Sequence, residues 1–164
     1  MKKTTPVTAK GLSVELLCGL PMLLFIYSGS VKLLDFRTSR GEMLNQPFPH
    51  WLAIFFAYAI PIAELSIVIV LIVGAIGYEK IRTWGLKASF VLMSLFSGYA
   101  LAILLHLFPR IPCSCGGIIH KLSWGQHLIL SLFFVVISLA AIVWRRYLER
   151  PYPNGQLILQ TPNI

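Results

Sequence analysis

Four apolar runs, at residues 11–34, 51–74, 84–107 and 126–144, constrain this chain more than any other feature. Each is about 20 residues long, the length an α-helix needs to cross a hydrocarbon core of roughly 30 Å. Backbone inside hydrocarbon must satisfy its own hydrogen bonds, so runs of this length are read as helices. Aromatic and basic residues gather near their ends, where interfacial anchors sit. Of the 164 residues, 57% are hydrophobic and 12% charged, about half the charge of an ordinary soluble domain. The expected fold is all-α, a polytopic membrane four-helix bundle over residues 11–146. Residues 1–10 read as a basic cytoplasmic lead-in and 147–164 as a cytoplasmic tail. The first run is longer than a signal-peptide core and no small-residue cleavage site follows it, so it is expected to remain. No internal repeat, phosphate-cradling glycine loop or second domain is evident.

A net charge of +8 raises nucleic acid as a partner. The basic residues lie at the ends of the apolar runs, which points to a lipid bilayer and away from nucleic acid. Lys2, Lys3, Lys10, Lys80, Arg82, Lys87, Arg145, Arg146 and Arg150 fall on one side of a four-span topology. Lys32, Arg37, Arg40, Arg110 and Lys121 fall on the other. Nine against five favours both termini inside and the loop after the third run outside.

Polar residues inside the runs are few. Glu64, three residues after Pro61, lies roughly 20 Å in from Trp51 at about 1.5 Å per residue. An acid at that depth is costly unless neutral or paired, which makes it a candidate intramembrane proton site. The structural alternative is a protonated Glu64 bonded to Ser94, Ser97 or Tyr99 of another helix. The same count sets Cys18 within a few residues' rise of Glu64, where a lone cysteine packs as a small hydrophobe. Ser28-Gly29-Ser30 forms a small-residue patch suited to close helix packing, and Pro21 is expected to kink its helix. Lys32 and Asp35 lie one turn apart at the expected outer end and read as a snorkelling pair. Ser39-Arg40-Gly41-Glu42 and Ser123-Trp124-Gly125-Gln126 both have capping-box spacing. The first suggests a short interfacial helix ending at Gln46-Pro47, and the second the start of the last helix.

Between the third and fourth runs stands Pro112-Cys113-Ser114-Cys115-Gly116-Gly117, followed by His120 and Lys121. Two cysteines one residue apart can close a small, strained ring, and strain makes a disulfide easier to reduce. A ring that small restricts little of the unfolded chain, so an exchangeable pair fits better than a staple. Gly116 and Gly117 supply the freedom of a tight turn. His120 and Lys121, folded back, would lower a thiol pKa. A metal reading uses the same atoms: Cys113, Cys115 and His120, with His106 or His127, offer soft ligands for copper or zinc. Their spacing matches none of the common structural zinc patterns. The bland reading is two loop cysteines with no role.

Tyr27-Ser28-Gly29-Ser30-Val31-Lys32-Leu33-Leu34-Asp35 resembles the Gly-x-x-Lys-Leu-x-Asp ending of the first helix in MauE/DoxX-type membrane proteins. Pro61-Ile62-Ala63-Glu64 is similar to that family's Pro-x-x-Glu. Cys113-Ser114-Cys115-Gly116-Gly117, with Leu122-Ser123-Trp124 and His127, looks like its Cys-x-Cys-Gly segment before the last helix. The resemblance covers roughly residues 11 to 145. It implies a four-helix bundle tied to thiol–disulfide chemistry outside the bacterial inner membrane, beside a thioredoxin-like extracytoplasmic partner. MauE itself serves maturation of methylamine dehydrogenase, whose small subunit is rich in disulfides. Quinone-coupled membrane disulfide oxidases have a similar helix count but use Cys-x-x-Cys and a second outer pair. This chain has one Cys-x-Cys and no second outer pair, so a two-pair relay does not carry over.

The expected function is that of an inner-membrane protein of MauE type, supporting thiol–disulfide exchange or disulfide maturation of an extracytoplasmic partner. Cys113 and Cys115 are its exchangeable pair, His120 tunes the thiolate, and Glu64 is a proton site or a link between helices. No cofactor is required by this reading, and a membrane quinone is the acceptor it leaves open. The alternatives are a copper- or zinc-handling protein using Cys113, Cys115 and His120, and a non-catalytic membrane assembly subunit.

Overall fold

The structure, a computed structural model, describes residues 9–108 and 123–148. Cys113, Cys115 and His120 lie outside the described residues. The described helices are α1 (Ala9–Leu34), α2 (Phe36–Leu44), α3 (His50–Ala75), α4 (Glu79–Leu104) and α5 (Trp124–Leu148). Four stretches are long and apolar enough to cross a membrane: Glu15–Leu34, His50–Ala75, Lys80–Leu104 and Trp124–Arg146. The fold is therefore an all-α polytopic bundle, with α2 as a short addition.

α1 and α4 each pack against both α3 and α5, so the long helices form an up-and-down ring. The end at which α4 finishes and α5 begins is called here the cysteine end, and the α3–α4 connection marks the turn end. At the turn end Gly77, at φ 133°, makes the reversal, a backbone conformation that glycine adopts without steric cost. This tight turn draws Lys80 and Arg82, expected in a loop, into the first turn of α4.

Small residues set the helix register. An ideal Cβ on Gly74 would lie 2.5 Å from the Cα of Arg82, so α3 and α4 touch almost backbone to backbone there. Ser89 bonds Ser138 at 3.0 Å and Ser97 donates to Ser131 at 2.9 Å, tying α4 to α5 at two levels. Such bonds between helices satisfy hydroxyls that hydrocarbon cannot. The buried apolar core, including Phe25, Val68, Leu71, Leu86 and Ala141, fills the half nearer the turn end. Outward faces carry Leu16, Phe55, Ile69, Leu95 and Val136, all exposed as lipid-facing residues should be.

At the cysteine end one expectation changes and one holds. α2 starts at Phe36, and the Asp35 carboxylate caps it by accepting from Thr38 N at 3.3 Å. Ser39 and Glu42 lie inside α2 and form no capping box, because Asp35 has already taken the N-cap position. α5 does start with the expected box: Ser123 N donates to Gln126 Oε1 at 2.8 Å and Gln126 N to Ser123 Oγ at 3.4 Å. Arg82 and Arg145, counted as interfacial charges, are buried at the turn end. Arg82 donates to Glu15 at 2.7 Å. Excluding these two and the inward-facing Lys32 leaves the direction of the charge bias unchanged.

The close approach at Gly74 makes a prediction. Gly74→Ala forces α3 off α4 and should lower stability by about 1–3 kcal/mol, the range for overpacking. Gly98→Ala, whose Cβ meets nothing within 4 Å, should be neutral or stabilise by up to about 1 kcal/mol. Thermal unfolding of both variants in one detergent checks the contrast; equal shifts would refute the register argument.

Candidate functional site

α1 stops part-way along the bundle. Gly29 lies against Glu64 and Leu65 of α3, and Phe36 at the start of α2 packs at a tilt against Tyr58, ring centroids 4.6 Å apart. The chain thus breaks at Asp35, near the level of Tyr58 and about a third of the way along α3, and α2 continues beside the first turns of α3. Lys32, near the C-terminal end of its own helix, is therefore deep in the bundle.

There it meets Glu64. Lys32 Nζ lies 2.6 Å from Glu64 Oε1, with side-chain exposures of 19% and 1%. Ser28 donates to the same carboxylate oxygen at 3.1 Å, and Lys32 donates to Ser28 Oγ at 3.0 Å. Ser28 and Lys32 are four apart, one above the other on a helix face, so α1 offers a hydroxyl and a cation together. Gly29 between them lets α1 approach closely. Lys32 Nζ also stands 5.6 Å from the Phe96 ring centroid, within the range of a cation–π contact. Glu64 Oε2 is buried with no hydrogen-bond partner. Charge in this setting needs its partner, since a lone ion away from water costs several kcal/mol.

The partners differ from those the sequence suggested. Lys32 pairs with Glu64, while Asp35 caps α2. Ser94 donates back to the carbonyl of Phe90, and the Ser97 hydroxyl lies between Ser131 and the carbonyl of Met93, each carbonyl one turn earlier in α4. The Tyr99 hydroxyl donates to Gln46 Oε1. Cys18 sits beside Arg82 at the turn end, and not at the depth of Glu64. Gly74, which touches Arg82, lies ten residues past Glu64, about 15 Å along α3. The depth count failed because it ran α1 across the full membrane, whereas its outer third is replaced by α2. A signal was available: one intramembrane acid and one lysine four residues from a serine, on neighbouring helices.

The pair borders a cavity of about 500 Å³ that occupies the cysteine-end half of the bundle. Its wall is mainly apolar, with Phe48, Phe56, Phe96, Tyr99 and Trp124 among the rings. Glu42, Gln46, His127 and Ser131 add polar groups nearer the cysteine end. Tyr99 organises that end: its ring lies 5.4 Å from Phe48, 5.9 Å from Phe108 and 6.1 Å from Trp124. Phe108 and Trp124 flank the segment that carries Cys113, Cys115 and His120, so both of its attachment points meet at one residue. Among the described residues no group of three His, Cys, Asp or Glu could hold a metal ion. His106, at φ 54°, ends α4, and His127 faces Trp124.

The ion pair has a measurable signature. Lys32→Met and Glu64→Gln should each destabilise the protein by about 3 kcal/mol, because each leaves a buried charge alone. The double variant should recover at least half of the summed loss. Denaturation of all four proteins in mixed micelles gives the coupling directly; simple additivity would mean the pair contributes nothing.

Comparison with known proteins finds no match among curated proteins and none among solved structures. One family does match, described as methylamine utilisation protein MauE, over residues 10–145. This covers all four long helices and the segment between α4 and α5, and does not extend the resemblance to DoxX-type proteins. The chain therefore belongs to the MauE family of methylamine utilisation membrane proteins.

Proposed function

We propose that this protein supports thiol–disulfide exchange with a thioredoxin-like partner outside the bacterial inner membrane. Cys113 and Cys115 act as the exchanging pair. A thiolate of the partner attacks the Cys113–Cys115 disulfide, forms a mixed disulfide and releases one thiolate. The partner's second thiol then resolves it, so the partner leaves oxidised and this pair reduced. His120 promotes the exchange by favouring the thiolate. The topology in this reading has both termini cytoplasmic and the cysteine segment periplasmic, where disulfides persist.

The observation that carries the reading is the Cys-x-Cys spacing itself, in a segment whose flanks converge on Tyr99. Cys113 lies five residues after Phe108, which tethers it within about 18 Å of the Tyr99 cluster. Membership of a methylamine utilisation family agrees with a role in maturing a partner outside the membrane.

Thiol trapping in intact cells tests this. In a Cys18→Ser background, a membrane-impermeant alkylating reagent should label Cys113 and Cys115 only after external reductant is added. Cys113→Ser or Cys115→Ser should leave the other thiol labelled without reductant. Labelling of the unmutated pair that needs a chelator would indicate metal ligation instead. No labelling under any condition would turn the segment inward and end the proposal.

A further inference from the structure

The cavity carries an inference about its ligand. We propose that it binds the ring of an isoprenoid quinone, with Lys32 and Glu64 as the polar partners of one ring oxygen. Its volume, about 500 Å³, is that of a small-molecule site. The apolar wall excludes ions and sugars, and the rings of Phe48, Phe56 and Phe96 suit a flat lipophilic group.

The polar chemistry narrows the class further. A lysine ammonium has three N–H donors. Lys32 directs two of them to Glu64 Oε1 and Ser28 Oγ, which leaves one. Glu64 Oε2, on a side chain 1% exposed, has no partner. The spare Lys32 donor thus stands at the cavity wall, with the unpartnered Glu64 oxygen buried next to it. A quinone oxygen uses both in turn: as a carbonyl it accepts from Lys32, and as a quinol hydroxyl it donates to Glu64. A lipid acyl chain could fill the volume but would satisfy neither group, and leaving buried polar groups unpaired is costly. The position, half-way along a bundle with lipid-facing sides, suits a ligand that arrives through the bilayer.

Binding does not depend on the thiol reading. An electron-transfer step would rest on that reading: a Cys113–Cys115 dithiol becoming the disulfide gives two electrons and two protons, which convert one quinone to quinol.

The test uses the full chain in quinone-free phospholipid nanodiscs and a photoreactive azido-quinone, with decyl-ubiquinone as competitor. Cross-links should map to α1, α3 and α4 around Lys32, Glu64 and Phe96, and competitor should remove them. The Lys32→Met/Glu64→Gln protein, which keeps the side-chain volumes, should bind at least about tenfold more weakly. Leu130→Trp, which fills the cavity without touching the pair, should abolish labelling; helical circular dichroism and gel filtration establish that both variants fold. Cys113→Ser/Cys115→Ser protein should label as the parent does, so a failed thiol-trapping result leaves this site standing. Labelling confined to lipid-facing residues, or unchanged in either folded variant, would overturn the proposal. So would a co-purified phospholipid that decyl-ubiquinone fails to displace.

Discussion

The structure turns on one contact, the Lys32–Glu64 ion pair between α1 and α3, beside Phe96 of α4. In water such a pair is worth little. Inside an apolar bundle the balance changes, because each ion without the other carries an unrelieved desolvation cost. α1 must therefore deliver Lys32 to the level of Glu64. It does so by ending early, with Asp35 breaking the helix and capping α2 in the same step. Gly29 brings the two backbones close enough for Ser28 to share the carboxylate.

From that contact the bundle divides into two halves. Towards the turn end, Phe25, Leu71 and Leu86 close-pack around the Gly74–Arg82 approach. Towards the cysteine end, small residues such as Ala53, Ala57 and Ala100 replace bulky ones, and the interior opens into the cavity. One half gives rigidity and the other gives room. Tyr99 links the room to the Cys-x-Cys segment, since it touches both of that segment's attachment points and bonds Gln46.

Much of this is legible in the amino-acid sequence. The four long helices follow from apolar runs of spanning length. The Ser123–Gln126 box follows from local side-chain geometry, and Glu64 stands out because an acid in hydrocarbon demands an explanation. The misplaced residues in the long helices share one cause. Cys18 is placed by counting residues, and Lys32 and Arg82 by their nearness to the ends of apolar runs, each helix taken to cross the whole membrane. A count along one helix carries no information about its neighbour's register. At Ser39–Glu42, a valid capping pattern lost to Asp35, which lies a turn earlier and at a break that the sequence does not mark.

What the sequence determined by itself is local or compositional: hydrophobic length makes membrane helices, and the Ser123–Gln126 box starts the last of them. What only the tertiary structure decided is which distant residues meet. The pairing of Lys32 with Glu64, the burial of Arg82 and the cavity itself all depend on how far each helix slides along the next. That sliding is set by steric fit at Gly29, Gly74 and Gly85 together with the charge that must be matched. These are contacts between residues tens of positions apart, and no local pattern encodes them.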